Sequence, residues 1–300
     1  LLVNYTGNLS VRGEWQRGRD MMADSLALRP DSTILLRFMA KLELYNGNLV
    51  EGWKLAHRAY ELQPDNPEDV ASLARTWVML GEVAEAERLL VAGMQAAPNN
   101  ANLKGAYWML LVVSKRFEEA ERVVHEMRAD YGDAAPDMID RRFDFQLGML
   151  AMIRRDFAAA RELLTSAISD EENPAWSGDE IMILTLASLA LDQTGKSEEA
   201  VTLLDDAERM IRRARLNGVD DPNIYYREGI VLTLQNELDA ALQKFQQAYE
   251  KGFRESWVLD IDGRLDPLRD RPDFMLFKDQ INDDVTRALA EIRSLSLAAL

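Results

Sequence analysis

Residues 81–98 read GEVAEAERLLVAGMQAAP, and residues 47–64, which lie 34 positions earlier, read GNLVEGWKLAHRAYELQP. Glycine and proline stand at the same places in both stretches, and small residues recur five positions after the glycine as Gly52 and Ala86. A small side chain on one face of a helix lets a neighbouring helix approach closely. The two stretches therefore predict helical hairpins that stack with a 34-residue period.

The period extends over most of the chain. Seven turn positions are found, at 13, 47, 81, 115, 155, 195 and 236, so the last three units are longer than the first four. The additional residues are rich in Asp, Asn, Gly and Pro, which predicts longer connections or extra helical turns there. Residues 1–252 form the predicted array. Since Leu1 falls at the third position of a unit, we expect the sequence to be part of a longer protein.

The third unit has a pattern of residues that is typical of one repeat family. Leu73, Ala74 and Trp77, followed by Ala86, Leu90 and Pro98, match its spacing. The unit resembles the tetratricopeptide repeat. The resemblance implies an all-α fold, a right-handed solenoid of antiparallel helix pairs with about seven repeats. Lys115 replaces the turn glycine of the fourth unit and is expected to adopt a left-handed conformation.

Residues 253–300 depart from the period and are predicted to form a C-terminal cap. Within them, Ile281, Val285, Leu289 and Ile292 make one apolar stripe on a predicted helix. We expect this helix to cover repeat seven, and a dimer surface is the alternative. The segment from Asp266 to Phe274 is similar to closing segments of tetratricopeptide regions in bacterial multidomain signalling proteins.

Composition narrows the function classes. The net charge of −16 is opposite in sign to the basic surface that nucleic-acid binding requires. There is no cysteine for a disulfide or a thiolate site, and no apolar run of the length that spans a membrane. A cytoplasmic location is expected, and the composition is compatible with the periplasm as well. Membrane insertion is not expected.

No catalytic, metal or cofactor site is predicted. The two histidines, His57 and His125, occupy the same position of alternate repeats, which separates them in a solenoid. The common phosphate-binding, hydrolase and zinc-protease motifs are missing from the sequence. A hydrolase that uses acidic surface carboxylates remains as an alternative from another class.

The resemblance implies a concave groove that binds peptides, formed by one side of the first helix of each unit. The residues at those positions combine basic, aromatic and methionine side chains, and they are Arg37, Lys41, Tyr45, Arg75, Met79, Met109, Arg142, Phe145 and Met149. The basic residues would bind an acidic segment, and the methionines would bind apolar side chains. Alternatively, the methionines and Phe145 belong to the core, and Arg37, Lys41 and Arg75 neutralise Glu43, Glu68 and Asp69.

These observations predict a scaffold or sensor module that holds a segment of a partner protein. An alternative is a regulatory region of a larger bacterial signalling protein that packs on its own cyclase, kinase or transcriptional-regulator domain.

Overall fold

The computed structural model of the chain describes residues 15–132, 137–169 and 178–298. The predicted turn at Gly13 and parts of the first two longer connections lie outside the described residues. The described helices follow one another as antiparallel pairs. They are α1 (Trp15–Leu28), α2 (Thr33–Tyr45), α3 (Leu49–Leu62), α4 (Pro67–Met79), α5 (Val83–Ala96), α6 (Ala101–Val113), α7 (Phe117–Tyr131), α8 (Asp137–Ile153), α9 (Phe157–Ala167), α10 (Gly178–Gln193), α11 (Ser197–Leu216), α12 (Pro222–Leu234) and α13 (Leu238–Glu250).

The turns inside the pairs share one backbone conformation. A positive φ is found at all six turn positions within the described residues, namely Gly47, Gly81, Lys115, Arg155, Gly195 and Asn236. Lys115 has a φ of 58°, which confirms the left-handed conformation that its position predicts. Each of these residues reverses the chain after the first helix of a pair, as the αL residue at a helix C-terminus commonly does. The pairs α2/α3 to α12/α13 are therefore repeats two to seven, and α1 is the second helix of repeat one.

Small residues lie where the helices pack most closely. Ala86 is fully buried. A Cβ atom built on Gly52 would lie 2.8 Å from Leu44 Cδ2, and one on Gly93 would lie 3.1 Å from Leu103 Cδ2. Such distances leave no room for a larger side chain without movement of its neighbours. The recurrence of small residues in the sequence is thus a packing requirement.

The residues after repeat seven form a short helix α14 (Ser256–Ile261), a 3₁₀ helix (Gly263–Leu268) and a long helix α15 (Pro272–Ala298). The predicted stripe on α15 is covered, because Ile281, Val285 and Ile292 are buried and Leu289 is half-buried. Helix α15 packs on α13 of repeat seven and also on α3 of repeat two. These apolar residues are therefore enclosed by the chain itself and are not exposed for contact with a second copy.

Repeat two and the end of repeat seven are also in contact. A Cβ atom built on Gly47 would lie 2.7 Å from the carbonyl oxygen of Gly252, so the two backbones are in direct contact. Arg293 on α15 donates to the Glu82 carboxylate at the start of α5, at 2.6 Å. In an open solenoid each repeat contacts only its neighbours. Here the C-terminal residues join repeat seven to repeats two and three, and the superhelix closes on itself.

The 3₁₀ helix lies against the inner helices of the later repeats. Arg264 is buried, and its guanidinium donates to the Asp262 carboxylate at 2.7 Å and to Thr185 Oγ1 of α10 at 2.6 Å. Leu265 and Leu268 are fully buried, and Asp266 pairs with Arg155 at the turn of repeat five. The cap was predicted to cover repeat seven, and its 3₁₀ helix also contacts repeats five and six.

Candidate functional site

The guanidinium of Arg37 forms an ion pair with a buried carboxylate of the neighbouring repeat. Its Nη1 donates to Asp69 Oδ1 at 2.7 Å, and Asp69 is fully buried on α4. A buried carboxylate needs a charged or hydrogen-bonding partner, so Arg37 stabilises the contact between α2 and α4. This is the neutralising alternative for Arg37, and we leave this residue out of the site. Glu43 is similarly buried and is paired with Arg19 and Asn48, not with Lys41.

The predicted apolar residues of the groove are neither free nor fully buried. Met79, Met109 and Met149 are half-buried and pack against the main apolar cluster of the protein. Phe145 is also half-buried and packs against a smaller cluster formed by repeats five and six. Each of these side chains therefore packs in part against the core and keeps in part an accessible surface.

The remaining basic and aromatic residues lie inside the closed superhelix, in a space that we call the lumen. Lys41, Tyr45, Arg75 and Arg142 come from repeats two, three and five. Three charged residues from repeats six and seven and from the C-terminal residues lie close to them, namely Asp179, Arg227 and Glu255. Their charges act on the Tyr45 hydroxyl, and those of Asp179 and Glu255 also act on Arg227. Repeats that are far apart in the sequence therefore place polar side chains around one enclosed space.

Two side chains of the lumen keep contact with solvent although protein surrounds them. Tyr45 retains 40% of its accessible surface, yet burial, followed by the charge of Glu255, raises the pKa of Tyr45 to about 12. Lys41 is exposed, yet burial and the nearby charge of Arg75 lower the pKa of its ammonium group. The surrounding protein therefore replaces part of the solvent that would stabilise a charge at these two positions.

Two cavities adjoin this interior, at opposite ends of the helices. The larger, of about 850 Å³, lies at the turn end, and its walls include Lys115, Arg155 and Asn236. Several of its polar groups are bound within the chain: Ser188 donates to the Ala200 carbonyl oxygen at 2.9 Å, and Asp266 pairs with both Arg155 and Arg269. Because these groups already have partners, this cavity is the weaker candidate for a polar ligand.

The smaller cavity, of about 340 Å³, lies at the opposite, loop end, between α4, α6 and α8. Arg75 and Arg142 line it, and the charge of Arg142 adds to burial in lowering the pKa of the Arg75 guanidinium. Within the part of the chain that the structure describes, neither guanidinium has a carboxylate at ion-pair distance. Gln146 on α8 is 5% exposed, and its Oε1 has no hydrogen-bond partner. The cavity thus contains two guanidiniums, of which Arg75 donates to the backbone carbonyl of Asn102, and one buried acceptor whose hydrogen-bonding capacity is unused.

Several solved structures are similar to this chain. A tetratricopeptide repeat protein from Parabacteroides merdae matches with a TM-score of 0.50 over 87% of this chain and 95% of its own, at 14% identity. A chain of the APC/C hetero-tetramer Cut9-Hcn1 matches with a TM-score of 0.56 over 95% of this chain and 50% of its own, at 15% identity. This chain has the tetratricopeptide-repeat fold. The human IFIT1 dimer with PPP-AAAA also matches, with a TM-score of 0.54 over 96% of this chain and 70% of its own, at 14% identity.

Sequence comparison adds no relative, since no protein-family model and no curated protein matches the chain. The tetratricopeptide fold is therefore evident from the arrangement of the helices and from the repeat period. None of the described helices has the combination of length and apolar composition that crossing a membrane requires. Within the described residues, His57 stacks on Trp53 with 4.7 Å between the ring centroids, and His125 is exposed.

Sequence reasoning missed several residues of the lumen. Asp179 and Glu255 lie next to the connections, outside the regular groove positions of a tetratricopeptide unit, and no repeat pattern points to them. Arg227 and Gln146 stand one position beyond a groove position, so only the rotation of α12 and α8 brings them inward. Gly105 did carry a signal, since it occupies a groove position of repeat four, and its missing side chain leaves space beside Arg75.

Proposed function

We propose that this protein is a non-catalytic binding module that takes a segment of a partner protein into the lumen. The observation that carries the proposal is the mixed set of charged and aromatic side chains that repeats two, three, five, six and seven and the C-terminal residues place around one space, the lumen. Burying charges is costly unless a partner satisfies them. Maintaining basic groups such as Lys41 and Arg75 in such a space favours a role in binding over a role in stability.

The shape of the lumen supports a narrow ligand. The 3₁₀ helix forms part of the wall of the larger cavity at the turn end, whereas packed helices alone line the smaller cavity at the loop end. An extended peptide or a single helix fits a space between packed helices, and tetratricopeptide folds are known among assembly proteins, as in the Cut9-Hcn1 hetero-tetramer. Net charge opposes the other ligand class suggested by the similar structures, the PPP-AAAA of the IFIT1 dimer, because this chain carries −16.

Photo-crosslinking in source cells tests the proposal. Tyr45 is replaced by p-benzoylphenylalanine, which places the reactive group in the lumen, and Leu216, 82% exposed at the end of α11, receives the same group as a control. We expect a protein to be crosslinked from position 45 and not from position 216. Lys41→Glu should weaken that capture, whereas Lys54→Glu, an exposed change on α3, should not. Capture from position 216 alone, or no capture from position 45 by the folded protein, would contradict the proposal.

A further inference from the structure

Side chains replace glycine at three of the turns, and these three turns surround one cavity. Among the six turn positions that the structure describes, repeats two, three and six have glycine, whereas repeats four, five and seven have Lys115, Arg155 and Asn236. A left-handed backbone costs free energy for a residue with a Cβ atom, although less for asparagine than for lysine or arginine. Lys115, Arg155 and Asn236 all line the larger cavity, at the turn end, and none of the three glycines does. Backbone strain that is retained at a cavity favours a role for the side chains that cause it.

The fold explains one of these three side chains. Arg155 pairs with Asp266 of the 3₁₀ helix and so joins repeat five to the cap. Lys115 is exposed, and in the part of the chain that the structure describes no carboxylate lies at ion-pair distance from its ammonium group. Asn236 is also exposed, and its amide group has no hydrogen-bond partner among the same residues. Lys115 and Asn236 therefore offer polar groups at the cavity that contacts within the chain do not use.

The wall of the turn-end cavity also contains large apolar side chains from repeats four to seven. They include Phe117, Met152, Phe157, Leu189, Val201 and Leu234. Val201 retains 56% of its accessible surface, and Phe117, Phe157 and Leu189 are half-buried. Covering such surface with an apolar molecule is favourable, and a volume of about 850 Å³ lies in the range of sites that hold small organic ligands. The apolar wall thus suits the body of a small molecule.

The charges of the cavity favour an anionic end on that molecule. Four basic and three acidic side chains line the cavity, on a protein whose net charge is −16. The three arginines among them each pair with an aspartate. Asp192 accepts a hydrogen bond from Ser197 Oγ at 2.8 Å. The remaining basic group is Lys115, and its compact ammonium group binds an anion without requiring one particular geometry.

We infer that the turn-end cavity binds a single-chain amphiphile with an anionic head group. The alkyl chain lies among the apolar side chains of repeats four to seven, and the head group contacts Lys115 and Asn236. The inference goes beyond the proposed function, because it concerns a small molecule at the end of the superhelix opposite to Arg75 and Arg142. Either proposal can fail without the other.

The anionic head group has two possible sources, a free acid and a phosphate ester, and four probes test the chemistry. Decanoate and decyl phosphate have the same alkyl chain and differ in the head group. Decyltrimethylammonium has the chain with the opposite charge, and butanoate has the acid with a short chain. Each is titrated into the full chain labelled with ¹³C in the methionine methyl groups. Met152 is buried in the cavity wall, whereas Met275 on α15 is 53% exposed and reports adsorption to the outer surface. Met152→Leu and Met275→Leu variants assign the two signals.

We expect decanoate or decyl phosphate to shift the Met152 signal in a saturable manner, at concentrations that leave Met275 unchanged. The tighter of these two should bind at least about tenfold more tightly than butanoate and than decyltrimethylammonium, and it identifies the source of the head group. Val201→Asp should abolish this binding, because it places a carboxylate in the apolar wall. Val91→Asp, a matched change at a residue on α5 that is 40% exposed, should leave it unaltered.

Two variants test Lys115 separately from the fold. Lys115→Gln should weaken binding about tenfold, while Lys54→Gln, an exposed change on α3, should have no effect. Lys115→Gly restores the residue of the other turns, so it should raise the midpoint of thermal unfolding and weaken binding together. A stabilised Lys115→Gly protein that binds as tightly as the wild type would overturn the inference. So would equal affinity for decyltrimethylammonium or butanoate, a Met275 shift with the same midpoint as that of Met152, or the absence of a saturable Met152 shift.

Discussion

Glu255 illustrates how the lumen acts on a single side chain. Burial raises the pKa of this carboxyl group, and the charge of Arg227 only partly offsets the effect. Because the folded pKa lies above the unfolded one, the fold favours the protonated form, and the free energy of unfolding falls as the pH rises from about 4.5 through the raised value. Glu255→Gln should therefore raise the urea midpoint at pH 7 and leave it unchanged below pH 4. The free energy of unfolding at pH 7 should rise by about 1.4 kcal/mol for each tenfold difference between the folded and unfolded acid dissociation constants.

A matched change on the outer surface controls for the loss of a charge. Glu126→Gln, at an exposed position of α7, makes the net charge less negative by the same amount. The difference between its urea midpoint and that of the wild type should be the same at both pH values. Urea denaturation followed by circular dichroism measures all three proteins. A lower midpoint for Glu255→Gln than for the wild type at pH 7 would mean that attraction to Arg227 outweighs the cost of burial.

At the scale of elements, two contributions of Gly47 to stability can be measured separately. One is its contact with Gly252 at the end of repeat seven, and the other is its left-handed backbone conformation. Gly47 and Gly81 have nearly the same φ, 79° and 78°, but only Gly47 has a backbone close to where its Cβ would be. Both alanine variants incur the left-handed cost of roughly 1–2 kcal/mol. Gly47→Ala should cost roughly 1–3 kcal/mol more, because its methyl group must push Gly252 away. Equal losses in thermal or urea denaturation would show that this contact is absent in solution.

The helices and their turns could be predicted from the sequence because each depends on nearby residues. The 34-residue recurrence sets helix lengths, and the residue at a turn position requires a left-handed conformation whether it is Gly47 or Lys115. The regular face of the first helices indicates Lys41, Tyr45, Arg75 and Arg142 as candidate site residues, and their role in binding stays a prediction. Arg37 occupies that face as well, and only the position of the buried Asp69 shows why it is engaged elsewhere.

At the scale of the whole molecule, closure could not be predicted from a repeat pattern. A period describes how each unit contacts the next one, and small changes in rotation per unit accumulate along a solenoid. Whether its two ends meet depends on that sum, and the three longer units change it. The apolar stripe of α15 predicts that this helix packs against another apolar surface. The stripe does not indicate that this surface includes α3, which lies more than 200 residues earlier in the sequence.

Closure predicts communication between regions that are remote in sequence. Ile292 on α15 is fully buried, and α15 packs on α3 and α13. Ile292→Ala should destabilise this packing by roughly 2–5 kcal/mol and should speed hydrogen exchange of backbone amides in α3 as well as in α13. Leu295→Ala, a change on the same helix at a residue that is 37% exposed, serves as the control and should leave α3 protected. In an open solenoid, faster exchange would be limited to α13 and α15. Unchanged exchange in α3 would therefore contradict the closed superhelix. It would also contradict the proposed function, because binding in the lumen requires that the superhelix is closed.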